Sequence, residues 1–460
     1  MFRDQSQQLI ARSHANSQGR SPGSSKISTP QTSQFNIAGI DTTWAQPTAN
    51  APAMLYAPAV DQETAWIDFF VNQYTCSGTT DSKANMFWIP PNFHDMLRDD
   101  SLRFSVQSVG AMAIARLQKS QPGVEEAQKK YGQALLSLAN GWGQVVSNAQ
   151  KDIVFLVILL LGFFEVLATY GPSARKSWIT HLGGVSVLFK NNEDYYCGTP
   201  FGARMFFHAR SQMILIALQT KTTVADTFAK PNPRVLRAVP PQLKEIFEAD
   251  ILLIHLADLQ ARCRTSRPSI SLLVELTGLG TACAQWAVSL PEFWRYTTQG
   301  ISRPTSAWWD SQLHAYKSPI LEHTWNKVRA ALLVIHDLIR DLNRSLYPVQ
   351  DAWSPFETQV QQLVLDICSS VPLRFRPTAT SNTGTLPPLG TIYWLLWPLD
   401  VVGSMREAPL EMRQWVIQVF EQIHDKTGNI RANTLANKLK AGQRSFDVSL
   451  SYPSLLGLEK

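Results

Sequence analysis

Residues 152–171 read "DIVFLVILLLGFFEVLATYG". Twelve consecutive residues, Ile153 to Phe164, are apolar or glycine. A run of this kind either crosses a bilayer or fills the centre of a helical fold. Crossing takes about 20 apolar residues for roughly 30 Å of hydrocarbon. Asp152 closes one end here and Glu165 interrupts the other. Even extended to Ala168, the segment makes only about 24 Å of helix. Ionised Glu165 would be costly in lipid, and no cluster of Lys or Arg flanks the run to mark a cytoplasmic side. The stretch therefore reads as a helix that is apolar on every side because protein surrounds it. No membrane partner is expected.

The next residues, 171–189, read "GPSARKSWITHLGGVSVLF". Gly171-Pro172 breaks the chain, and Ser173 or Ser177 is placed to cap a second helix. Trp178, Leu182, Val185, Leu188 and Phe189 fall on or near one face of it. So short a connection makes the two helices an antiparallel hairpin. Gly183 and Gly184 each cost about 1 kcal/mol of helix propensity, and the expected compensation is close approach of the two backbones. A buried Glu165 requires a mate, because breaking a buried ion pair costs about 3–5 kcal/mol. His181, one hairpin arm away, and Arg210 in "FGARMFFHARSQM" are the candidates. A buried structural cluster of Glu165, His181 and Arg210 is expected, the alternative being three separate side chains facing solvent.

Further out, the helical period dominates. Phe356, Val360, Leu363, Val364 and Ile367 form one stripe, with Ser354, Pro355 and Glu357 as a capping box at its start. Met412, Trp415, Val416, Val419, Phe420 and Ile423 form another, stopped by Gly428. Trp325, Val328, Leu332, Ile335, Ile339 and Leu342 give a third, and Tyr131, Leu135, Leu138 and Ala139 a fourth. Alternation of period two is rare and short. The fold class expected is all-α: a large bundle of antiparallel helical hairpins, about a dozen or more helices, preceded by a disordered tail. Residues 1–60, rich in Ser, Gln, Thr, Pro, Ala and Asn, make that tail, because such a composition buries too little apolar surface to offset the entropy of ordering. Residues 61–460 make the helical domain.

Charge and cysteine use exclude several classes. A net charge of +6 spread over 460 residues gives no strong electrostatic footprint for nucleic acid. The five cysteines, Cys76, Cys197, Cys263, Cys283 and Cys368, are odd in number, widely spaced and without a CxxC, which argues against a disulfide framework or a zinc module. They read as buried reduced thiols. No GxSxG elbow and no glycine-rich phosphate loop after a strand occurs. His181, His208, His255 and His336 lie in apolar helical stretches and read as satisfied core histidines.

An all-helical, aromatic-rich chain also fits a terpene cyclase, which needs carboxylates at helical spacing to hold Mg²⁺. The closest match is "RDDSLRF", where Asp99 and Asp100 are adjacent but Arg103 stands where a further acid belongs. "NNEDYYCG" (191–198) is acidic but reads as a loop. Both are read as solvated charges. A third class, an interaction scaffold with a ligand cavity between helices, draws on "AWWDSQLHAYKSPILEHTW" (307–325) as a cavity wall, with plain packing as the alternative.

Seven segments in order carry a family resemblance: "YGQALLSL" (131–138), "KDIVFLVILLLGFFEVL" (151–167), "SWITHLGGVSVLF" (177–189), "GTPFGARMFFHARSQMILIAL" (198–218), "WNKVRAALLVIHDLI" (325–339), "FETQVQQLVLDICSSVPLRF" (356–375) and residues 394–439, from "WLLWPLDVVGSM" to "TLANKL". Together they resemble the fungal-specific transcription factor domain, the all-helical regulatory region of zinc-cluster transcription factors. The resemblance spans roughly residues 60–440. It implies recurring structural positions at Glu165, Trp178, His181, Gly184, Phe206 and Arg210, then at Cys368, Val371 and Pro372, and at Pro398, Leu399, Trp415 and Gly428. It implies no catalytic, metal-binding or cofactor-binding residue. The family's six-cysteine zinc cluster has no counterpart, since residues 1–75 hold no cysteine. DNA would then be reached only indirectly, or through a missing N-terminal module. The implied function is a nuclear transcription regulator or co-regulator, not an enzyme. It would control one pathway such as a secondary-metabolite biosynthetic gene cluster. Its partners would be other transcription regulators or a second copy of itself, with a small apolar effector as an added ligand.

Overall fold

The computed structural model of the protein describes residues 61–75, 92–141, 147–169, 172–230, 233, 237, 243–300, 312–348, 357–371, 389–406 and 408–444. The expected tail, Cys76, Ser354, Pro355, Pro372 and residues 301–311 lie outside them. The chain divides into two units, Met1–Ala65 and Trp66–Lys460; apart from the first residues of α1, every described element belongs to the second.

The fold is all-α. Sixteen helices follow one another among the described residues: α1 (Gln62–Tyr74), α2 (Phe93–Met96), α3 (Asp100–Leu117), α4 (Gln121–Gly141), α5 (Asn148–Ala168), α6 (Pro172–Asn191), α7 (Glu193–Gly198), α8 (Pro200–Thr220), α9 (Asp226–Ala229), α10 (Lys244–Thr265), α11 (Ile270–Ser289), α12 (Pro319–Leu346), α13 (Glu357–Ser370), α14 (Leu389–Ser404), α15 (Leu410–Thr427) and α16 (Ile430–Lys440). One antiparallel ribbon interrupts them, β1 (Thr297–Gly300) on β2 (Gln312–Ala315), with Thr297 opposite Ala315. Sequential helices pair: α3 with α4, α5 with α6, α10 with α11, and α15 with α16.

The quoted apolar run is α5. Ser147 starts it with a capping box: its hydroxyl accepts the Gln150 N–H at 3.2 Å, and Gln150 Oε1 accepts the Ser147 N–H at 3.0 Å. Every residue from Val154 to Gly162 is buried. α3, α4 and α6 pack around it. No described helix is long and apolar enough to cross a membrane.

The α5–α6 hairpin makes a close approach at Gly162, and not at Gly183, one of the two glycines expected to provide it. A Cβ at Gly183 would meet nothing within 4 Å, and Gly183 is exposed. The close approach falls on α5 at Gly162, where a Cβ would lie 3.3 Å from both His181 Cβ and Trp178 Cδ1. The ring-bearing side chains of α6 thus fill the notch that Gly162 leaves, and Gly183 turns to the other side. Residues 191–198 also differ from expectation. Asn191 ends α6 and Glu193–Gly198 form helix α7 in place of a loop, with Tyr196 and Cys197 buried and Tyr196 donating to Lys151 O at 3.0 Å.

α12 is the second interior helix. Every residue from Leu321 to Arg340 except Trp325 is buried, with α10, α11, α13 and α14 around it. Near the C-terminal end, Gly428 closes α15 in the left-handed region (φ +66°) and donates to His424 O at 2.7 Å. A Cβ there would lie 2.1 Å from Arg116 O on α3, so only glycine fits.

Candidate functional site

Tyr131 on α4 joins two of the three expected cluster residues. Its hydroxyl donates to Glu165 Oε1 at 2.7 Å and lies 3.3 Å from His181 Nε2. Its ring stacks on Phe164, with centroids 4.4 Å apart. Burial raises the Glu165 pKa, and the Tyr131 hydrogen bond partly opposes the rise. Burial pushes His181 down to about 4, so its imidazole is neutral near pH 7. Two α5–α6 groups and one α4 hydroxyl therefore form a polar knot inside apolar packing. Tyr131 entered the sequence reading as an apolar stripe member. Its phenol was the available signal, since a buried tyrosine hydroxyl normally finds a partner.

Arg210 makes other contacts. It is fully buried on α8, with its guanidinium carbon 4.1 Å from the Phe247 ring centroid. None of its three guanidinium nitrogens has a hydrogen-bond partner among the described residues. Burial lowers its pKa to about 10, and the charge of Asp250 on α10 opposes that shift. Asp250 is itself fully buried and accepts from Lys327 Nζ on α12 at 2.8 Å. The sequence reading missed Asp250 and Lys327. The argument that singled out Glu165, a lone charge inside an apolar helical run, applies equally to Asp250 in "EADILLIHL" and to Lys327 in "WNKVRAALLVI".

Two cavities adjoin these groups. The first, about 60 Å³, lies where α5, α6, α8 and α14 meet, with Phe163, Trp178, Tyr393, Trp394 and Trp397 as aromatic walls and Gln212, Gln219 and Arg431 as polar ones. The second, about 70 Å³, lies between α8, α10 and α12; Asp250 and Lys327 line it. His208, Gln212, Leu215 and Trp394 line both. His208 keeps some accessible surface because it faces these cavities, while protein surrounds it otherwise and holds its pKa down to about 3. Of the expected wall 307–325, Ile320, His323 and Thr324 line the second cavity, and residues 307–311 lie outside the described residues. Within that stretch Trp325 is half-buried, donates to Trp294 O at 2.8 Å and packs edge-on against Trp286, so its indole is committed to packing.

The remaining candidates resolve locally. Asp99 is the N-cap of α3, accepting from Ser101 N at 2.9 Å and Leu102 N at 3.1 Å, and Asp100 pairs with Arg103. Cys197, Cys263, Cys283 and Cys368 are buried and form no disulfide among the described residues, and burial pushes the Cys263 and Cys283 thiols up to about 11 and 12. His181 and His336 are buried, whereas His255 is exposed on the outer face of α10, contrary to its reading as a core residue. Among the described residues no group of three or more His, Cys, Asp or Glu is placed to hold a metal.

No protein-family description matches the chain, and neither a curated protein nor a solved structure resembles it closely enough to count as a match.

Proposed function

We propose that this chain is a helical regulatory protein, a transcription regulator or co-regulator. It acts in the nucleus by associating with other regulators or with itself, reaches DNA through them, and houses a small apolar effector within its helices. The pathway it controls is of the secondary-metabolite type. One observation carries the reading. The aromatic cavity is built by the same segments that carry the family resemblance: Gly162, Trp178, Gln212, Trp394 and Arg431 come from four of them. A pocket assembled from α5, α6, α8 and α14 links one ligand to many helix packings, which is how an effector biases association.

The cyclase alternative draws no support from Asp99 and Asp100, whose carboxylates are engaged in a helix cap and a pair with Arg103. Deleting the gene and measuring transcripts tests the proposal. Loss or gain of a defined set of transcripts is expected; an unchanged transcript profile contradicts it. Turnover of a prenyl diphosphate by the purified protein with Mg²⁺ would replace it with the enzyme reading.

A further inference from the structure

Charge is missing from the outer face of α11. α10 and α12 pack against this helix on its inner side. The stripe turned outward is Ile270, Val274, Thr277, Thr281, Gln285 and Val288, every one exposed. Ile270, Val274 and Val288 keep 61%, 64% and 73% of their surface. Of the ten large apolar residues exposed among the described residues, five lie in this part of the chain: these three, Ile251 on α10 and Phe293 just beyond α11. The two threonines add little polarity, because their hydroxyl protons are already used inside the helix. Thr277 Oγ1 donates to Leu273 O at 2.8 Å and Thr281 Oγ1 to Thr277 O at 3.1 Å. The single charge of α11, Glu275, sits beside the stripe and is held by Arg262 of α10 at 2.8 Å. A helix at a protein surface ordinarily turns its charges outward, and a contiguous exposed apolar face marks an interaction surface.

We propose that this face docks a second copy of itself, α11 against α11, antiparallel about a two-fold axis. A two-fold contact sets a surface on itself, so a charge near its axis meets its own like; this stripe has none. The stripe also keeps the same size order from either end: bulky Ile270 and Val274, then Thr277, Gly278, Thr281 and Ala282, then Gln285 and Val288. Reversed about its midpoint, it sets Ile270 against Val288, Val274 against Gln285 and Gly278 against Thr281. The small middle lets the two axes come close, and antiparallel packing opposes the two helix dipoles. Area sets the strength. A helix of 20 residues is about 30 Å long and about 10 Å across, so the stripe covers roughly 300 Å² per copy, and about twice that with the outer row of α10 that holds Ile251. Stable dimers bury about 800 Å² per partner, so this contact is weak and concentration-dependent. The proposal rests on the self-association part of the function above and names its surface. Mass is read on the purified chain, so its failure is distinct from a failure of the transcript test.

Sedimentation velocity of the full chain from about 1 to about 100 μM tests it. The weight-average mass should rise from one chain towards two over this range. Ile270→Glu and Val288→Lys each place a charge that suits its own helix end, so both variants should fold, as circular dichroism checks. Each alone should weaken the dimer about tenfold or more. Mixed in equal amounts they should recover it, since the new carboxylate of one chain then meets the new ammonium of the other. Val187→Glu, at a similarly exposed position on α6, should change nothing. A single-chain mass up to about 100 μM would overturn the proposal and leave the face to a different protein. A dimer that survives either variant, a mixture that fails to recover it, or loss of the dimer in Val187→Glu would each overturn it as well.

Discussion

α5 and α12 both run through the interior, and different chemistry puts them there. From Val154 to Gly162, α5 offers no charge to any neighbour, so burial on all sides follows from composition. α12 carries a clean apolar stripe, Val328, Leu332, Ile335, Ile339 and Leu342, and an opposite face rich in charge. By pattern alone that face belongs in water, yet Lys327, Arg329, Asp337 and Arg340 are all buried. Each has a mate. Lys327 meets Asp250 at 2.8 Å, and Arg329 meets Asp366 at 3.5 Å and donates to the Tyr316 hydroxyl. Asp337 pairs with Arg340 and, at 3.0 Å, with Arg444 from beyond α16. Hydrophobic pattern under-reports burial when other elements deliver the partners for the charges.

The two helices should therefore fail differently. Lys327→Met strands Asp250 inside the protein and should cost about 3–5 kcal/mol. Leu161→Ala, at a fully buried α5 position, should cost about 2–5 kcal/mol through lost transfer energy and a residual cavity. Chemical denaturation measures both. The sharper contrast is rescue: a second substitution at Asp250 should recover much of the first loss, whereas no single polar partner exists to recover the second.

The polar knot beside α5 gives a pH signature that apolar packing lacks. His181 is depressed to about 4 from an ordinary value near 6.5. The unfolded chain takes up this proton near pH 6.5 and the folded chain only near pH 4. Its contribution is therefore complete above pH 6.5 and is lost as the pH falls towards 4, at no more than about 1.4 kcal/mol per pH unit. Glu165, raised by burial, acts with the opposite sign, so the comparison must isolate the histidine. Between pH 7 and 4.5 the wild type should lose about 2 kcal/mol more than His181→Gln. Parallel stability curves for the two proteins would remove His181 from the account.

The smallest effects separate the two glycine environments of the hairpin. Gly183→Ala meets open space and should gain about 1 kcal/mol from helix propensity. Gly162→Ala brings a methyl to 3.3 Å from His181 and Trp178, and should lose stability despite the same propensity gain. Thermal unfolding of the pair gives the signs.

The legible part of the molecule is the part written in local pattern. α5, the α5–α6 hairpin, the α15 stripe and the Gly428 stop are each specified by residues adjacent in sequence. What stayed hidden was pairing across long separations. Tyr131 reaches Glu165 across 34 positions, and Asp250 reaches Lys327 across 77. Nothing local to either residue announces such a mate. A lone charge in an apolar run says only that a partner is needed, which is why Glu165 could be flagged while Arg210 was assigned a neighbourhood different from its contacts with Phe247 and Asp250. The cavity walls follow the same rule. Trp178 and Trp394 lie 216 positions apart and share one cavity, whereas the contiguous tryptophan-rich stretch contributes Trp325 to packing and Ile320, His323 and Thr324 to the other cavity.

Paired charge carries α12 through the interior, and a double-mutant cycle at Asp250 and Lys327 measures that pairing. Unfolding free energies of Asp250→Asn, Lys327→Met and the double variant should show the double variant nearer to wild type than Lys327→Met alone, with a coupling of about 2 kcal/mol or more. Losses that simply add, to within about 0.5 kcal/mol, would mean that the two side chains do not hold each other in the interior.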